Sequence, residues 1–388
     1  MGIRLIQEKK RLAMVCRILW TGGVALVAIE QQKALLLEGY NSDLFFLRDA
    51  NSLYETPGRT QILNKQNQYN GLTRRILSTL TKKFAGHRGG EATVDLDYIF
   101  DSRKILKNYD EILFHDQWSA LMGFYYRIKG IKYVVQLHEF FRPPPGMKKY
   151  SIFAVMAWIY DIFTIILAPA VVTTSEYNYN IVKKFKRDTF LVRIGFPKPV
   201  LVERSNNKKF FDQRKVVLSL TLWDKGRHPD FYADLAIALP ELDFVVAGTW
   251  TIKDEMKSFI EKTRVIKNLK VTGSVDEKEK LELISSAHFD IRLGYNERGP
   301  GMGALESMSY GLIPFANKGI GLSELIQDKV NGFLVAEPLL ENTITAFKFA
   351  NNLSPNQLEI MAKRNIDLCN TFSWENNVKD LLKIFAKL

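Results

Sequence analysis

Short apolar runs alternate with helical patterns along most of this 388-residue chain. Such runs, each followed by polar residues, are typical of strands buried on both faces of a parallel sheet. Because parallel strands need crossover connections, helices must cover both faces of that sheet, which predicts doubly wound α/β domains. The elements predicted for the first half are strands Val15–Leu19, Asp43–Leu47, Glu111–Phe114 and Tyr133–Leu137, and a helix over Val24–Glu38.

The pattern restarts after Pro197–Asp212, a stretch rich in Pro, Lys and Asn that is typical of an interdomain linker. We therefore expect two tandem doubly wound domains, residues 1–198 and 199–372, with a cleft between them at the carboxyl ends of the strands. The strands predicted for the second domain are Val216–Leu220, Phe244–Ala247, Lys270–Val271, Phe289–Leu293 and Ile313–Ala316.

A glycine-rich turn in the second domain leads into a helical run, Ala304–Tyr310. Glycines 299, 301 and 303 leave backbone N–H groups uncovered where this helix begins, and helix N-termini attract anionic phosphates. Glu306 lies one turn into the helix, where its carboxylate can accept two hydroxyls of a ribose. These features predict a cradle for a nucleotide diphosphate.

This segment resembles the nucleotide-sugar site of glycosyltransferase family 4, whose usual form is E-G-F-G, four residues, then E-A-M-A-x-G-x-P. The resemblance extends from about Met14 to Leu382 and implies the GT-B fold, with two Rossmann-like domains. It also implies that Phe372–Glu375 opens a final helix, residues 373–388, that packs back on the first domain. The matching positions are Gly299, Gly301, Glu306, Met308, Gly311 and Pro314, followed by Gly319, Gly321 and Glu324 of the next loop.

The resemblance assigns roles to individual residues. His138, at a strand end, would lie near the donor sugar, and Lys225 or Arg227 would neutralise the departing diphosphate. His115 closes the neighbouring strand in the same way, and Thr173–Glu176 resembles the segment with the family's serine after the last strand of the first domain. The residues expected to bind the donor are Gly22, Gly23, Gly299, Gly301, Met302, Gly303, Ala304, Leu305 and Glu306.

The chain departs from the family pattern at two positions. Leu222 replaces an arginine, and Arg298 stands where the family has its first glutamate, with Glu297 one position earlier. A guanidinium has only donors, so Arg298 suits a carboxylate, as in an acidic donor sugar. In the alternative, the loop is shifted by one residue and Glu297 contacts the sugar hydroxyls. Glu297 and Arg298 are both candidate catalytic residues.

The function implied by the resemblance is that of a retaining glycosyltransferase. The expected partners are a nucleotide-sugar donor and an acceptor that is a membrane-associated lipid-linked glycan or a precursor of a cell-surface polysaccharide. Two alternatives remain open: a non-catalytic GT-B partner subunit, because of the departures, and a GT-B nucleotide-sugar epimerase, which would use the same cradle.

Neither a cofactor nor a metal ion is expected. Asp95-Leu96-Asp97 spells the D-x-D with which the other glycosyltransferase fold holds a divalent metal, but it lies in the first of two doubly wound domains. No other cluster has metal-ligand spacing. The two cysteines, Cys16 and Cys369, lie at opposite ends of the chain, which argues against a disulfide framework and favours a reducing, cytoplasmic setting.

The formal net charge of +12 requires an anionic partner. No RNA-binding motif or zinc-finger spacing supports nucleic acid. Leu72–Phe84 has the spacing of a basic amphipathic helix, either lying on an anionic membrane surface or packed on its own domain. The apolar run Ile152–Val172 is long enough to span a bilayer, but Asp161 and Pro169 favour a buried or interfacial helix. We therefore expect a cytoplasmic protein and consider peripheral binding to the cytoplasmic face of the membrane.

Overall fold

A computed structural model forms two compact units, Met1–Gly195 with Trp374–Leu388, and Phe196–Ser373. Two sets of sequence predictions, the basic helix Leu72–Phe84 and the site residues Lys225, Glu297 and Arg298, lie outside the residues that the structure describes. The described residues are 10–19, 22–49, 52, 54–63, 96–138, 159, 162–195, 207–211, 214–223, 227–293, 299–319, 321–337 and 339–388.

The first unit is built on a parallel sheet whose order, in the described part of the chain, is β3-β2-β1-β4-β5-β6-β7. The central strand β1 pairs with β2 on one side and β4 on the other, with Met14 opposite both Leu44 and Leu113. Its strands are β1 Arg11–Leu19, β2 Asn41–Asp49, β3 Thr60–Ile62, β4 Glu111–Phe114, β5 Lys132–Leu137, β6 Ala170–Thr173 and β7 Thr189–Leu191.

Helices cover both faces of this sheet, and its strands are buried as predicted for such a layer. The helix α1 follows β1 and packs against the final helix of the chain. The helices of this unit are α1 Gly23–Leu37, α2 Leu96–Leu106, α3 Gly123–Ile128, α4 Glu176–Val182 and α11 Trp374–Lys387, with a short helix over residues 162–167.

The second unit repeats the design with a parallel sheet of order β10-β9-β8-β11-β12-β13 among its described residues. Its strands are β8 Val216–Leu220, β9 Asp243–Ala247, β10 Leu269–Gly273, β11 Phe289–Arg292, β12 Ile313–Asn317 and β13 Phe333–Val335. Its helices are α5 Pro229–Ala238, α6 Lys253–Thr263, α7 Glu277–Ser286, α8 Met302–Ser309, α9 Leu340–Asn351 and α10 Pro355–Asn370.

The predicted α/β class and the parallel sheets are confirmed, and each predicted strand overlaps an observed one. Three short edge strands, β3, β7 and β13, were missed because three residues are too few to show a period. The expectation that Thr173–Glu176 follows the last strand of the first domain was wrong, since β7 comes later. Of the run Ile152–Val172, the described part holds the helix 162–167 and the start of β6, and no helix among the described residues is long and apolar enough to cross a membrane.

Gly248 directly follows β9 and lies beside Thr221, which directly follows the neighbouring strand β8. Its φ is +117°, and a Cβ built there would lie 1.9 Å from the carbonyl oxygen of Thr221. We therefore expect Gly248→Ala to destabilise the second unit by about 3 kcal/mol or more, because a backbone clash adds to dihedral strain. Urea unfolding followed by tryptophan fluorescence measures this, since the rings of Trp223 and Trp250 stack with centroids 5.8 Å apart near this contact.

Gly319 provides the matched control, because its φ of +86° is also positive but no atom lies within 4 Å of the position that a Cβ would take. Gly319→Ala should cost about 1 kcal/mol, the strain alone. Equal losses of stability in the two variants would show that Gly248 does not lie close to the backbone of Thr221.

Candidate functional site

The glycine-rich turn of the second unit ends in helix α8. Gly301 is the N-cap residue, with φ +70°, and the first hydrogen bond of the helix runs from Leu305 N–H to the Gly301 carbonyl at 3.2 Å. The N–H groups of Met302, Gly303 and Ala304 therefore precede the first intrahelical bond, as in any α-helix. They form the positive end of the helix, where an anion is stabilised.

Gly303 places this helix end against the carboxyl edge of the sheet. A Cβ at Gly303 would lie 3.1 Å from Nη2 of Arg292, on β11, and 3.5 Å from the carbonyl oxygen of Leu220, on β8. These neighbouring strands are the ones at which the strand order reverses, the usual position of a ligand in a doubly wound sheet. The predicted donor-binding turn therefore lies at the switch point of its own unit.

A buried ion pair lies beneath the turn. The Nε of Arg292 donates to Oδ2 of Asp290 at 2.9 Å, and both side chains, two residues apart on β11, are buried. The sequence predicts this strand but not the ion pair within it. The pair could have been predicted from the aspartate and the arginine in an otherwise apolar strand, because charged side chains that are buried must be paired.

Glu306 of α8 forms an ion pair with Lys280 of α7, with Oε1 and Nζ 2.7 Å apart and each side chain 22% exposed. Burial opposes the charge of Lys280, but the carboxylates of Glu306 and Glu277 outweigh it and raise the pKa of the ammonium. Glu306 is thus held as a carboxylate acceptor at the surface of the site. Lys280 was missed, because only the packing of α7 brings it to α8.

Arg227 is held at the end of β8. Its Nη1 donates to Oγ1 of Thr221 at 2.7 Å. The residue lies just before α5, whose N-cap His228 has the left-handed φ of 47° and is followed by Pro229 at the first helical position. Of the two cations predicted for the diphosphate, Arg227 is therefore placed by the described structure and Lys225 lies outside it.

A separate groove of about 960 Å³ runs along α5 and α6. Its lining carries several carboxylates and would repel a nucleotide diphosphate. The groove therefore does not compete with the glycine turn as the donor site. Its charged lining residues are Asp230, Asp234, Asp254, Glu255 and Lys262.

In the first unit, predicted residues gather at the carboxyl ends of β1, β4 and β5. Gly22 is the N-cap residue of α1, with extended backbone, and Gly23 is the first residue of the helix. The role of these glycines toward a donor stays a prediction. His115 and His138 follow the neighbouring strands β4 and β5.

The two histidines contact each other. His115 Nδ1 lies 3.3 Å from His138 Nε2, and the rings stack with centroids 5.6 Å apart. Burial lowers the pKa of His138 to about 4, with Asp116 opposing this shift, and burial together with His138 holds the pKa of His115 well below its usual 6.5. Both rings are therefore neutral at pH 7. One of the two facing nitrogens must carry a proton and donate it to the other in the hydrogen bond between them.

Neighbouring polar residues have structural roles. Arg17 Nε lies 3.7 Å from Oδ2 of Asp116, whose Oδ1 accepts from Ser119 N–H at 2.6 Å. Ser175, within the segment resembling the family's serine, caps α4 by accepting from Asn178 N–H. Cys16 is a buried free thiol, and burial raises its pKa to about 12, which leaves it unreactive.

The site's chemistry agrees with a family comparison. Residues 227–367 match the model of the family described as glycosyl transferases group 1. This part of the chain is therefore similar to a glycosyltransferase domain. It contains Arg227, Lys280, Asp290, Arg292 and Glu306, and so most of the site described in the second unit.

A curated relative supports the same assignment over a shorter stretch. A glycogen synthase of Thermodesulfovibrio yellowstonii is 33% identical over 91 residues, which are 23% of this chain and 18% of that protein. The matched stretch thus spans less than a fifth of the relative.

Solved structures resemble the whole chain. HepE of Anabaena in complex with UDP and glucose is 14% identical, covering 98% of this chain and all of its own, with a TM-score of 0.72. A sucrose-phosphate synthase of Thermosynechococcus elongatus is 15% identical, and the match covers 97% of this chain and 98% of that one, with a TM-score of 0.74. WaaG, a glycosyltransferase involved in lipopolysaccharide biosynthesis, is 13% identical. The match covers 96% of this chain and 99% of that one, with a TM-score of 0.68. At these identities the likeness shows the fold, which is GT-B.

The lowered pKa values of His115 and His138 predict a pH dependence of stability. Because their folded-state pKa values lie below the unfolded value near 6.5, the unfolded chain binds protons first as pH falls. Stability should therefore be constant above pH 6.5 and decrease between about pH 6.5 and 4, by roughly 2–3 kcal/mol for His138. Chemical unfolding at a series of pH values measures the slope.

His138→Asn should flatten this slope. The control is His228→Asn, since His228 is exposed and asparagine tolerates its left-handed backbone. A slope that persists unchanged in His138→Asn and in His115→Asn would mean that neither histidine is neutral through burial.

Proposed function

We propose that this protein is a retaining glycosyltransferase of the family 4 type that transfers a sugar from a nucleotide donor to a membrane-associated acceptor. The observation that carries the proposal is the glycine-rich N-terminus of α8 at the switch point, with Glu306 one turn further. The oxygens of a diphosphate would accept hydrogen bonds from the N–H groups of Met302, Gly303 and Ala304. The carboxylate of Glu306 would accept hydrogen bonds from the ribose hydroxyls.

Cations near this turn support the binding of a leaving diphosphate. Arg292 lies directly behind Gly303, and Arg227 lies at the end of the neighbouring strand β8. Positive charge fixed in advance lowers the barrier to glycosyl transfer, because negative charge develops on the departing phosphates. Related folds have been solved with UDP, UDP-glucose and ADP, which supports a nucleotide-sugar donor.

Retention is proposed from the resemblance and requires no protein nucleophile. In such a mechanism the leaving phosphate helps to deprotonate the acceptor on the same face of the sugar. The work left to the protein is to hold both substrates and stabilise the diphosphate. His138 and either Glu297 or Arg298 are proposed to contact the donor sugar. Gly22 and Gly23 are proposed to lie where acceptor and donor phosphate meet.

Glu306→Ala should weaken the binding of a nucleoside diphosphate by about 1.5–3 kcal/mol, because a charged acceptor is lost. Titration calorimetry with UDP, ADP and GDP measures the affinity, and nucleotide release from the corresponding sugars measures transfer. Both should fall together in the variant.

Glu277→Gln is the matched control. Glu277 also contacts Lys280, at 2.9 Å, but its side chain is 73% exposed and it lies on α7. The affinity of the Glu277→Gln variant for the nucleoside diphosphate should stay within twofold of that of the original protein. Unchanged affinity in Glu306→Ala would remove Glu306 from the donor site, and nucleotide binding without release from any sugar would favour a non-catalytic subunit.

The membrane-associated part of the proposal rests on an apolar surface of the first unit, which we call the apolar patch. It consists of exposed side chains on α3, on the helix 162–167 and on the segment after α4. These segments hydrogen-bond to one another: Arg127 Nη1 donates to the Leu167 carbonyl at 3.3 Å, and Lys186 Nζ to the Ile166 carbonyl at 3.4 Å. The patch residues are Phe124, Ile128, Phe163, Ile166 and Phe185.

Exposed cations occupy the same segments as the apolar patch. Apolar side chains next to cations suit the interface of an anionic bilayer, where the rings enter the headgroup region and the cations meet acidic lipids. This combination favours a lipid-linked glycan or a cell-surface polysaccharide precursor as acceptor, and a peripheral position on the cytoplasmic face of the membrane. The exposed cations are Arg127, Lys129, Lys183, Lys184 and Arg187.

The protein should co-sediment with vesicles containing anionic phosphatidylglycerol, less so at high salt because the attraction is partly electrostatic. Ile166→Glu should weaken this binding about tenfold, since it places a carboxylate in the patch. Sedimentation at 50 mM and 500 mM salt provides the comparison.

Ile360→Glu on α10 makes the same change at another exposed isoleucine and should bind vesicles like the original protein. Equal binding by the two variants would show that the apolar patch does not meet the membrane. Absence of vesicle binding at low salt would favour a water-soluble acceptor.

A further inference from the structure

A row of buried amide side chains connects the last helix of the chain to His138. Asn377, on α11, donates from Nδ2 to the carbonyl oxygen of Arg193 at 2.7 Å. Gln31, on α1, donates from Nε2 both to Asn377 Oδ1 at 2.7 Å and to Gln136 Oε1 at 3.1 Å. Gln136, on β5, directs its Nε2 to Nε2 of His138 at 3.5 Å. We call this row the amide relay.

The orientation of every amide in the relay follows from its first member. A backbone carbonyl only accepts, so Asn377 must direct its NH2 group to Arg193 and its oxygen to Gln31. Gln31 must then donate to Asn377, and its second proton goes to the oxygen of Gln136. Reversing any one amide would place two oxygens or two NH2 groups face to face in a buried site, which is costly.

Two donors consequently meet at one nitrogen of His138. The NH2 group of Gln136 faces Nε2, so this nitrogen must be the one without a proton. Nδ1 of His115, 3.3 Å from the same nitrogen, must then donate its proton to it. A neutral imidazole carries one proton, and in His138 it is left on Nδ1.

We propose that Asn377, Gln31 and Gln136 are positioning residues that hold His138 in the tautomer with its proton on Nδ1. His138 then offers Nδ1–H as a hydrogen-bond donor to an oxygen of the donor sugar. The second half of this inference rests on the proposed glycosyltransferase function, and the first half rests only on the relay.

The arrangement gives α11 a function in addition to packing. Its buried residue Asn377 sets the direction of the relay, and each of the three amide side chains in it is uncharged. Burial lowers the pKa of His138 to about 4, so at pH 7 the ring is neutral and has one nitrogen without a proton. Helix docking and the hydrogen-bonding state of His138 are thereby coupled.

Nitrogen-15 NMR of the full-length protein, labelled at histidine and recorded near pH 7.5, tests the tautomer without any substrate. The chain has five histidines, and His138→Asn identifies the signal of interest. His288 provides an internal reference for the opposite tautomer, because its Nδ1 accepts from Val216 N–H at 3.0 Å and its Nε2 lies 2.6 Å from the Lys209 carbonyl. We expect His138 to be protonated on Nδ1; protonation on Nε2 would overturn the proposal.

Two variants test the relay itself. Gln136→Glu keeps the shape but offers only oxygens, so His138 must move its proton to Nε2 or become charged. Asn377→Leu removes the first member, so the amides can reverse and His138 should become a mixture of tautomers. A spectrum of His138 unchanged in both would refute the relay. If Asn377→Leu does not fold, Gln136→Glu alone decides.

Asn376→Leu is the matched control, since Asn376 is an exposed neighbour on the same helix, and it should leave the His138 signal unchanged. In Gln136→Glu the rate of sugar transfer should fall about tenfold, as for the loss of one substrate hydrogen bond, with nucleotide affinity within twofold. A tautomer shift with full transfer activity would retain the relay and remove His138 from the reaction. A protein that transfers no sugar would refute the proposed function and leave the tautomer measurement valid.

Discussion

Parallel strand pairing is the constraint on which the rest of this structure depends. Every strand of both sheets runs in the same direction as its neighbours among the described residues, so the carboxyl ends of all strands in a unit meet at one edge. The chain must return across a face of the sheet after each strand, which buries the strands on both sides. Polar groups that act on a ligand can then lie only at that edge.

The two units use this edge differently. In the second unit it carries backbone N–H groups at the start of α8, with Arg292 behind them and Glu306 beside Lys280, a distribution of charge suited to a nucleotide. In the first unit it carries the neutral pair His115 and His138. The second unit's edge thus provides the N-terminus of a helix to an anion, and the first unit's edge provides uncharged hydrogen-bonding groups.

Burial decides how polar side chains behave in both places. Asp290 and Arg292 form an ion pair within a strand, where each satisfies the other. The histidines are neutral because burial lowers the pKa of each, and the charge of Asp116 does not outweigh it at His138. In the amide relay, burial prevents water from replacing a missing partner, so one carbonyl at Arg193 determines the direction of every later hydrogen bond.

The sequence by itself determined the fold class, nine of the thirteen described strands and the glycine turn with Glu306. These depend on local periodicity and on residues close together in the chain. Only the tertiary structure decided which distant side chains meet: Lys280 with Glu306, His115 with His138, and Asn377 with Gln31. The three-residue edge strands also could not be predicted from the sequence. Such contacts arise where separate helices and strands pack together, and no local pattern encodes the distance between two residues on different elements.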